Sequence, residues 1–260
     1  MGEDRIVIIT GASSGIGKAT AKALARKGFT TVLAARNLEN LQKVEKEIIS
    51  EDGKAVSIST DITVRSRVRN LVDSTLKHYG KVDVFICNAG IYWRCPAKDL
   101  PMEDMQHVMD TNFYGSLFCI YEVLPNMLSR KNGQIIVVSS FDGLKGIPPD
   151  SAYVASKFAV TGFAEVLRQE LQGNGITVTT IFPSRVNTPM IADVEVPFIS
   201  RKIPPEYVAK KIINSIHKKK RNVLVPYLGP KFLYLINCIS TNLGDFLVRL
   251  FHLAGEDIKK

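Results

Sequence analysis

RIVIITGASSGIG, residues Arg5 to Gly17, decides the fold. Arg5 to Thr10 is a short run rich in Ile and Val, the composition of a buried strand. It passes directly into TGASSGIG, Thr10 to Gly17, and a segment with helical spacing follows. Glycines at 11, 15 and 17 permit a tight turn and close backbone approach, and the first turn of the next helix leaves N–H groups free. Such donors, at the positive end of a helix, form a seat for a pyrophosphate. A glycine-rich loop alone is also an ordinary strand-to-helix turn; the strand before it and the helix after it are what point to a dinucleotide. Gly11, Ser13, Ser14, Gly15, Ile16 and Gly17 are therefore candidate contacts.

Outward from this stretch, apolar runs over 5–10, 30–35, 55–59, 82–87, 134–139, 177–182 and 222–225 read as strands. Between them, apolar residues recur at 3–4 spacing, as Leu38, Leu41, Val44 and Ile48 do within 37–50, and Val68, Leu71, Val72 and Leu76 within 64–79. The window 20–27 behaves alike. Alternating strands and helices specify right-handed βαβ units. The expectation is an α/β protein: one Rossmann-type, doubly wound domain over 1–260, with a mainly parallel seven-stranded sheet and helices on both faces. Residues 184–260 would supply a substrate pocket and an amphipathic C-terminal region.

Hydrophobic residues at 45% and charged residues at 23% exclude a disordered or collagen-like chain. Four cysteines lack CxxC spacing and the four histidines stand apart, with His78 and His107 on expected helix surfaces, so no metal is expected. Only four apolar residues follow Arg5 before Thr10, too few for a signal peptide, and no stretch reaches the length of a membrane span. A cytoplasmic location is expected. The net charge of +9 is concentrated: residues 201–260 carry 12 Lys/Arg against 4 Asp/Glu, which suggests an acidic neighbour for that region.

The end of the second strand bears on which dinucleotide binds. An acid there would bond the ribose diol of NAD, whereas a guanidinium grips the extra phosphate of NADP. The chain reads Ala34-Ala35-Arg36-Asn37, so NADP(H) is favoured over NAD(H), with Arg36 and Asn37 as candidate contacts.

The motifs taken together resemble the short-chain dehydrogenase/reductase family over about residues 4–190. They are the TGASSGIG loop, Asp61, Asn88-Ala89-Gly90, Asn112 in Thr-Asn-x-x-Gly, Ser140, Tyr153-x-x-x-Lys157, and the stretch from Pro183 to Thr188. The resemblance implies an oxidoreductase in which Asp61 and Ile62 hold the adenine end and Asn88, Ala89 and Gly90 floor the cofactor. It also implies that Val186 and Thr188 contact the carboxamide beside Pro183, and that the protein is a dimer or tetramer through helices around 101–131 and 151–173. Serine at 184 departs from the family's glycine and adds bulk beside the nicotinamide.

The residues carry their own chemical argument. Reducing a ketone needs a hydride and a proton on the carbonyl oxygen. Tyrosine can give that proton, but its ordinary pKa of about 10 is high for neutral pH. Lys157 lies four residues after Tyr153, on the same helix face, where its ammonium would favour the phenolate. Ser139 or Ser140 would donate to the developing alkoxide. The family's serine stands thirteen residues before its tyrosine, which selects Ser140, and Asn112 resembles the residue whose helix irregularity holds a relay water. Tyr153 and Lys157 would also contact the dinucleotide.

The pocket-forming residues 189–198 are mainly small and apolar, and Tyr92, Trp93 and Phe141 would add aromatic walls, favouring a lipophilic carbonyl or alcohol. Phe232, Leu235, Ile236, Ile239, Leu243, Phe246, Leu247 and Leu250 read as one apolar helical stripe after the basic run Lys218-Lys219-Lys220-Arg221. Over 218–254 this suits a membrane interface, but equally a helix packed on its own core, on the pocket mouth or on a partner subunit. Nucleic-acid binding fits the stripe poorly. The rival function is a catalytically silent nucleotide-binding scaffold of the same fold.

Overall fold

The computed structural model describes residues 5–257. It opens with β1 (Arg5–Thr10), α1 (Gly15–Ala25), β2 (Phe29–Ala35), α2 (Leu38–Ile49), β3 (Lys54–Ser59) and α3 (Arg65–Tyr79). The middle comprises β4 (Val84–Cys87), α4 (Met102–Met109), a π-helical turn at Asp110–Tyr114, α5 (Gly115–Arg130) and β5 (Gly133–Val138). Then come a 3-10 turn at Phe141–Gly143, α6 (Ser151–Glu170), β6 (Ile176–Pro183), β7 (Val194–Glu195) and α7 (Pro205–Lys218). β8 (Asn222–Val225), α8 (Leu228–Ile239), α9 (Thr241–Leu250) and β9 (Glu256–Asp257) complete it. The sheet has seven parallel strands in the order β3-β2-β1-β4-β5-β6-β8.

Alternation along the strands builds the two layers, because successive side chains leave opposite faces. Ile6 and Ile8 of β1, with Phe85 and Ile135, pack against Val68, Leu71, Ile120 and Val160 of α3, α5 and α6. Val7 and Ile9, with Val84 and Ile136, pack against Ala21, Leu24, Leu41 and Ile212 of α1, α2 and α7. Full burial of each such side chain is worth about 1.5–3 kcal/mol, so both faces of the sheet contribute to stability.

The sequence placed the start of the fourth strand at Val82, two residues too early. The Val82 backbone is taken by α5 instead: its N–H donates to Asn126 Oδ1 at 3.3 Å and its carbonyl accepts from Arg130 Nη1 at 3.0 Å. Asp83 then joins sheet to helix, accepting from Ile6 N at 2.9 Å and from Arg130 Nη2 at 2.7 Å.

The single C-terminal stripe is also corrected. Ser240 adopts extended backbone (φ −149°, ψ 111°) and its hydroxyl accepts from Leu243 N, so the helix ends and a new one is capped. Gly244 lets α8 and α9 approach closely, since a Cβ there would come within 2.6 Å of Asn237 Oδ1. Leu233 and Val248 are buried with Phe141 and Ile147, so the hairpin packs on the mouth of a cavity. Phe232, Leu235, Ile239, Leu243, Phe246 and Leu250 remain exposed. The basic run Lys218 to Arg221 precedes β8, whereas α8 leaves its other end. The strand therefore separates two features that the sequence had joined.

Candidate active site

The loop after β1 is held open by close packing. Gly11 and Gly15 have φ of +66° and +51°, a region that favours glycine. A Cβ on Gly11 would lie 2.9 Å from Ala89 Cα, and one on Gly17 would lie 2.2 Å from Gly11 O. Asn88 pins the loop, its Nδ2 donating to Thr10 O at 2.9 Å and Gly11 O at 3.3 Å. Ser14 caps α1 without a side-chain hydrogen bond, which leaves the first amides of the helix open.

These features border a groove of about 340 Å³, whose lining contains Gly11, Ser13, Ser14, Gly15, Ile16, Arg36 and Asn37. Asp61, Ile62, Asn88, Ala89, Gly90, Tyr153, Lys157 and Thr188 complete the predicted part of that lining. Gly17 works by packing rather than by lining, and Pro183 and Val186 line the neighbouring cavity. Asn37 caps α2, its Oδ1 accepting from Asn40 N at 2.9 Å. Partial burial of Asp61 would raise its pKa, but Thr63 donates to the carboxyl through backbone and hydroxyl, and Arg36 and His107 add attraction. The net effect holds the acid below its ordinary range. A cradle that side chains would fill, open helix amides and a cation at the far end together fit a phosphorylated dinucleotide.

A second cavity, of about 660 Å³, meets the groove at Ile16, Ser139, Tyr153, Thr188 and Met190. Around this junction Ser140 lines the larger cavity, Lys157 the groove and Tyr153 both, while Asn112 is buried outside the two linings. Ser139 is committed to α6, with Oγ donating to Lys157 O at 3.2 Å and 2.8 Å from Thr161 Oγ1. Ser140 Oγ, in contrast, accepts from Asp142 N at 3.1 Å and donates to Asp142 Oδ2 at 3.0 Å. Asn112 lies in the π-helical turn, accepts from Ile91 N at 2.8 Å, and donates to Ile91 O and Ser156 Oγ, both at 2.9 Å. A Cβ on Gly90 would fall 3.0 Å from Asn112 Oδ1 and 3.6 Å from Lys157 Nζ, so the three residues converge.

Lys157 Nζ donates to Val138 O at 3.1 Å and stands 5.5 Å from the centre of the Tyr153 ring. Burial pushes Lys157 down to about 8, against the pull of Asp142. Burial, followed by the charge of Asp142, pushes the Tyr153 phenol up, while the neighbouring Ser140 hydroxyl opposes this. For the protein alone, burial is the largest influence on the phenol and raises its pKa.

The larger cavity is apolar along Phe141, Ile147, Ile191, Val194 and Leu233, with Tyr92 packed edge-on against Tyr153 at 5.0 Å. Trp93 does not line it and is partly exposed. Ser184 does line it, donating its N–H to Val225 O at 2.7 Å. The sequence reading missed a charged group beside the junction, formed by Asp142, Asp150 and Arg185. It also missed the strap that closes the mouth. Arg94 donates to Ala254 O at 2.9 Å and Gly255 O at 2.7 Å, Arg185 donates to Leu253 O, and Lys145 pairs with Asp245. Only the position of Asp142, two residues after Ser140, hinted at any of this. Among the described residues, no group of three or more His, Cys, Asp or Glu is placed to hold a metal ion, and no helix is long and apolar enough to cross a membrane.

The profile of the family described as short chain dehydrogenase matches residues 5–196. The chain belongs to that family. An uncharacterized oxidoreductase of Listeria monocytogenes is 42% identical over 191 residues, which are 73% of this dehydrogenase and 77% of the relative. A fatty acyl-CoA reductase of Acinetobacter baylyi is 34% identical over 248 residues, covering 95% and 83% of the two chains. A crystal structure of a variant actinorhodin polyketide ketoreductase with NADPH superposes with a TM-score of 0.80 at 30% identity, covering 85% of this chain and 95% of that one. The dehydrogenase is thus an oxidoreductase with a single Rossmann-like domain, of a family that uses NAD(P)(H).

Proposed function

We propose that this dehydrogenase interconverts a lipophilic ketone and its secondary alcohol with NADP(H). One observation carries the proposal: Tyr153 stands where the dinucleotide groove opens into a large apolar cavity, with Ser140 beside it and Lys157 one helical turn behind. Residues Gly11 to Gly17, Asp61, Ile62 and Asn88 to Gly90 would hold the dinucleotide, with Pro183, Val186 and Thr188 at its nicotinamide end. Bound there, the nicotinamide supplies or accepts the hydride. Arg36 would bond the extra phosphate.

For reduction, Ser140 orients the substrate oxygen and Tyr153 delivers its O–H proton to that oxygen as negative charge develops. The buried ammonium of Lys157 stabilises the phenolate left behind. Asn112 fixes the segment after β4 and the floor near Lys157, consistent with a relay that restores the proton. The apolar cavity and the similarity to a fatty acyl-CoA reductase across 95% of the chain support a lipophilic substrate.

Two surfaces extend the proposal. Exposed Tyr114, Tyr121 and Leu128 with Phe158 and Val166 of α6 offer a second copy of the chain an apolar face. The outward side of α8 and α9, flanked by Lys231 and Arg249 and lying over the cavity, is assigned to an anionic membrane surface. Ile239→Asp with Phe246→Asp should abolish sedimentation with anionic vesicles; unchanged sedimentation refutes that contact.

The enzymatic test is a screen of hydrophobic ketones with NADPH and NADH, repeated with Tyr153→Phe. Activity with NADPH that is lost in the variant is expected. Equal turnover in the variant would overturn the assignment of the proton donor.

A further inference from the structure

Asp142 is the feature that the mechanism leaves unexplained. It sits on the 3-10 turn after β5, with its side chain lining the substrate cavity a few atoms from the reacting centre. The turn is fixed in place. Gly143 lies so close to α6 that a Cβ would stand 2.6 Å from Ser139 Oγ and 2.8 Å from Lys157 O. Asp142 therefore stays against Ser140, joined to it by two hydrogen bonds at 3.0 and 3.1 Å.

Those bonds create a conflict for the serine. A hydroxyl has one proton to donate. Ser140 Oγ already accepts the Asp142 N–H and gives its proton to Asp142 Oδ2. While the carboxylate takes that proton, none remains for a substrate oxygen. A protonated carboxyl reverses the bond: its O–H donates to Ser140 Oγ, and the serine proton turns toward the substrate.

We propose that Asp142 is a positioning residue that determines, through its own protonation, whether Ser140 donates a hydrogen bond to the substrate oxygen.

The surroundings suit an acid that changes state within the working range. Burial and the nearby Asp150 disfavour its charge, while the Ser140 hydrogen bond, Arg185 and Lys157 favour it, leaving it pushed up to about 7. These groups approach from different elements: Asp150 precedes α6, Tyr153 and Lys157 belong to α6, and Arg185 follows β6. Tyr92, after β4, acts on Asp150 and Tyr153. Tyr92, Arg94 and Arg185 all favour the charge of Asp150, which is the better compensated of the two acids. The sign follows directly. Below the midpoint Asp142 is protonated and Ser140 is free to donate; above it the donor is lost, and reduction slows as pH rises.

This inference rests on the proposed roles of Ser140 and Tyr153. The test is kcat/KM for ketone reduction by NADPH from about pH 5 to about pH 9 in the wild type, Asp142→Asn, Ser140→Ala and the double variant. The wild type should lose about tenfold per pH unit above its midpoint. Asp142→Asn, whose amide donates at every pH, should lack that limb, and in the Ser140→Ala background the same change should leave the profile as it was. Retention of the wild-type limb by Asp142→Asn, a uniform loss at all pH values, or an undiminished effect without Ser140 would each overturn the proposal.

Lys157 also feels Asp142, so a second readout independent of turnover assigns the limb. Infrared difference spectra should show a protonated-carboxyl band that titrates with the same midpoint and disappears in Asp142→Asn. The midpoint should rise in Ser140→Ala, where the hydrogen bond favouring the carboxylate is gone. A band absent throughout the range overturns the proposal. If Tyr153→Phe retains full turnover, the functional assignment fails instead, while the infrared titration still reports on the bond between Asp142 and Ser140.

Discussion

Arg94→Ala should release the strap over the substrate cavity while leaving the sheet intact. The Arg94 side chain is 11% exposed and holds two backbone carbonyls, Ala254 O at 2.9 Å and Gly255 O at 2.7 Å. Each hydrogen bond from a charged donor contributes about 1.5–3 kcal/mol. The ion pair with Asp257, whose side chain is 71% exposed, adds little. Taking the low end for the two carbonyl bonds gives about 3 kcal/mol, or roughly a 100-fold rise in the opening equilibrium of the strap. Hydrogen exchange at 194–195 and 253–257, where β7 pairs with β9, reads that equilibrium directly. Arg94→Lys should fall between, since an ammonium cannot reproduce the planar fork that reaches both carbonyls. Exchange within about twofold of the wild type in Arg94→Ala would show that the strap is held elsewhere, and the reasoning would fail.

Two further outcomes follow from the same geometry. Arg36→Ala should raise KM for NADPH by about tenfold or more, the value of a charge-assisted phosphate contact, and change KM for NADH little; parallel steady-state kinetics check this. Asp83→Ala leaves the buried Ile6 N–H and the Arg130 guanidinium without their carboxylate, and should cost about 3–5 kcal/mol in urea unfolding, with kcat per folded molecule retained.

The architecture was legible because strand and helix periods are imposed by burial on both faces of the sheet. The alternation of Ile6 and Ile8 against Val7 and Ile9 is visible only in three dimensions, but the apolar run that produces it is visible in the chain. Tyr153 and Lys157 were found because one helical turn relates them, and Ser140 was selected over Ser139 by the spacing that the family resemblance implies. Asp142, Asp150 and Arg185 were not, since their proximity depends on three separate loops meeting. Spacing likewise reveals the ammonium near the phenol but not the burial that raises its pKa. Ser240 was overlooked as a helix cap because the apolar stripe continues on both sides of it. That break turns one expected helix into the hairpin that covers the cavity.

The family profile ends at Val196, and α7, β8, the α8–α9 hairpin and β9 all lie beyond it. The reacting groups thus lie within the matched stretch, whereas much of the ceiling above them is built by residues that follow it. Substitutions at Leu233 and Leu247, which line the chamber but stand on elements apart from Ser140, Tyr153 and Lys157, would change the molecule admitted without disturbing proton transfer. Chimeras joined just after Val196 would thus be expected to inherit their chemistry from one parent and their diet from the other.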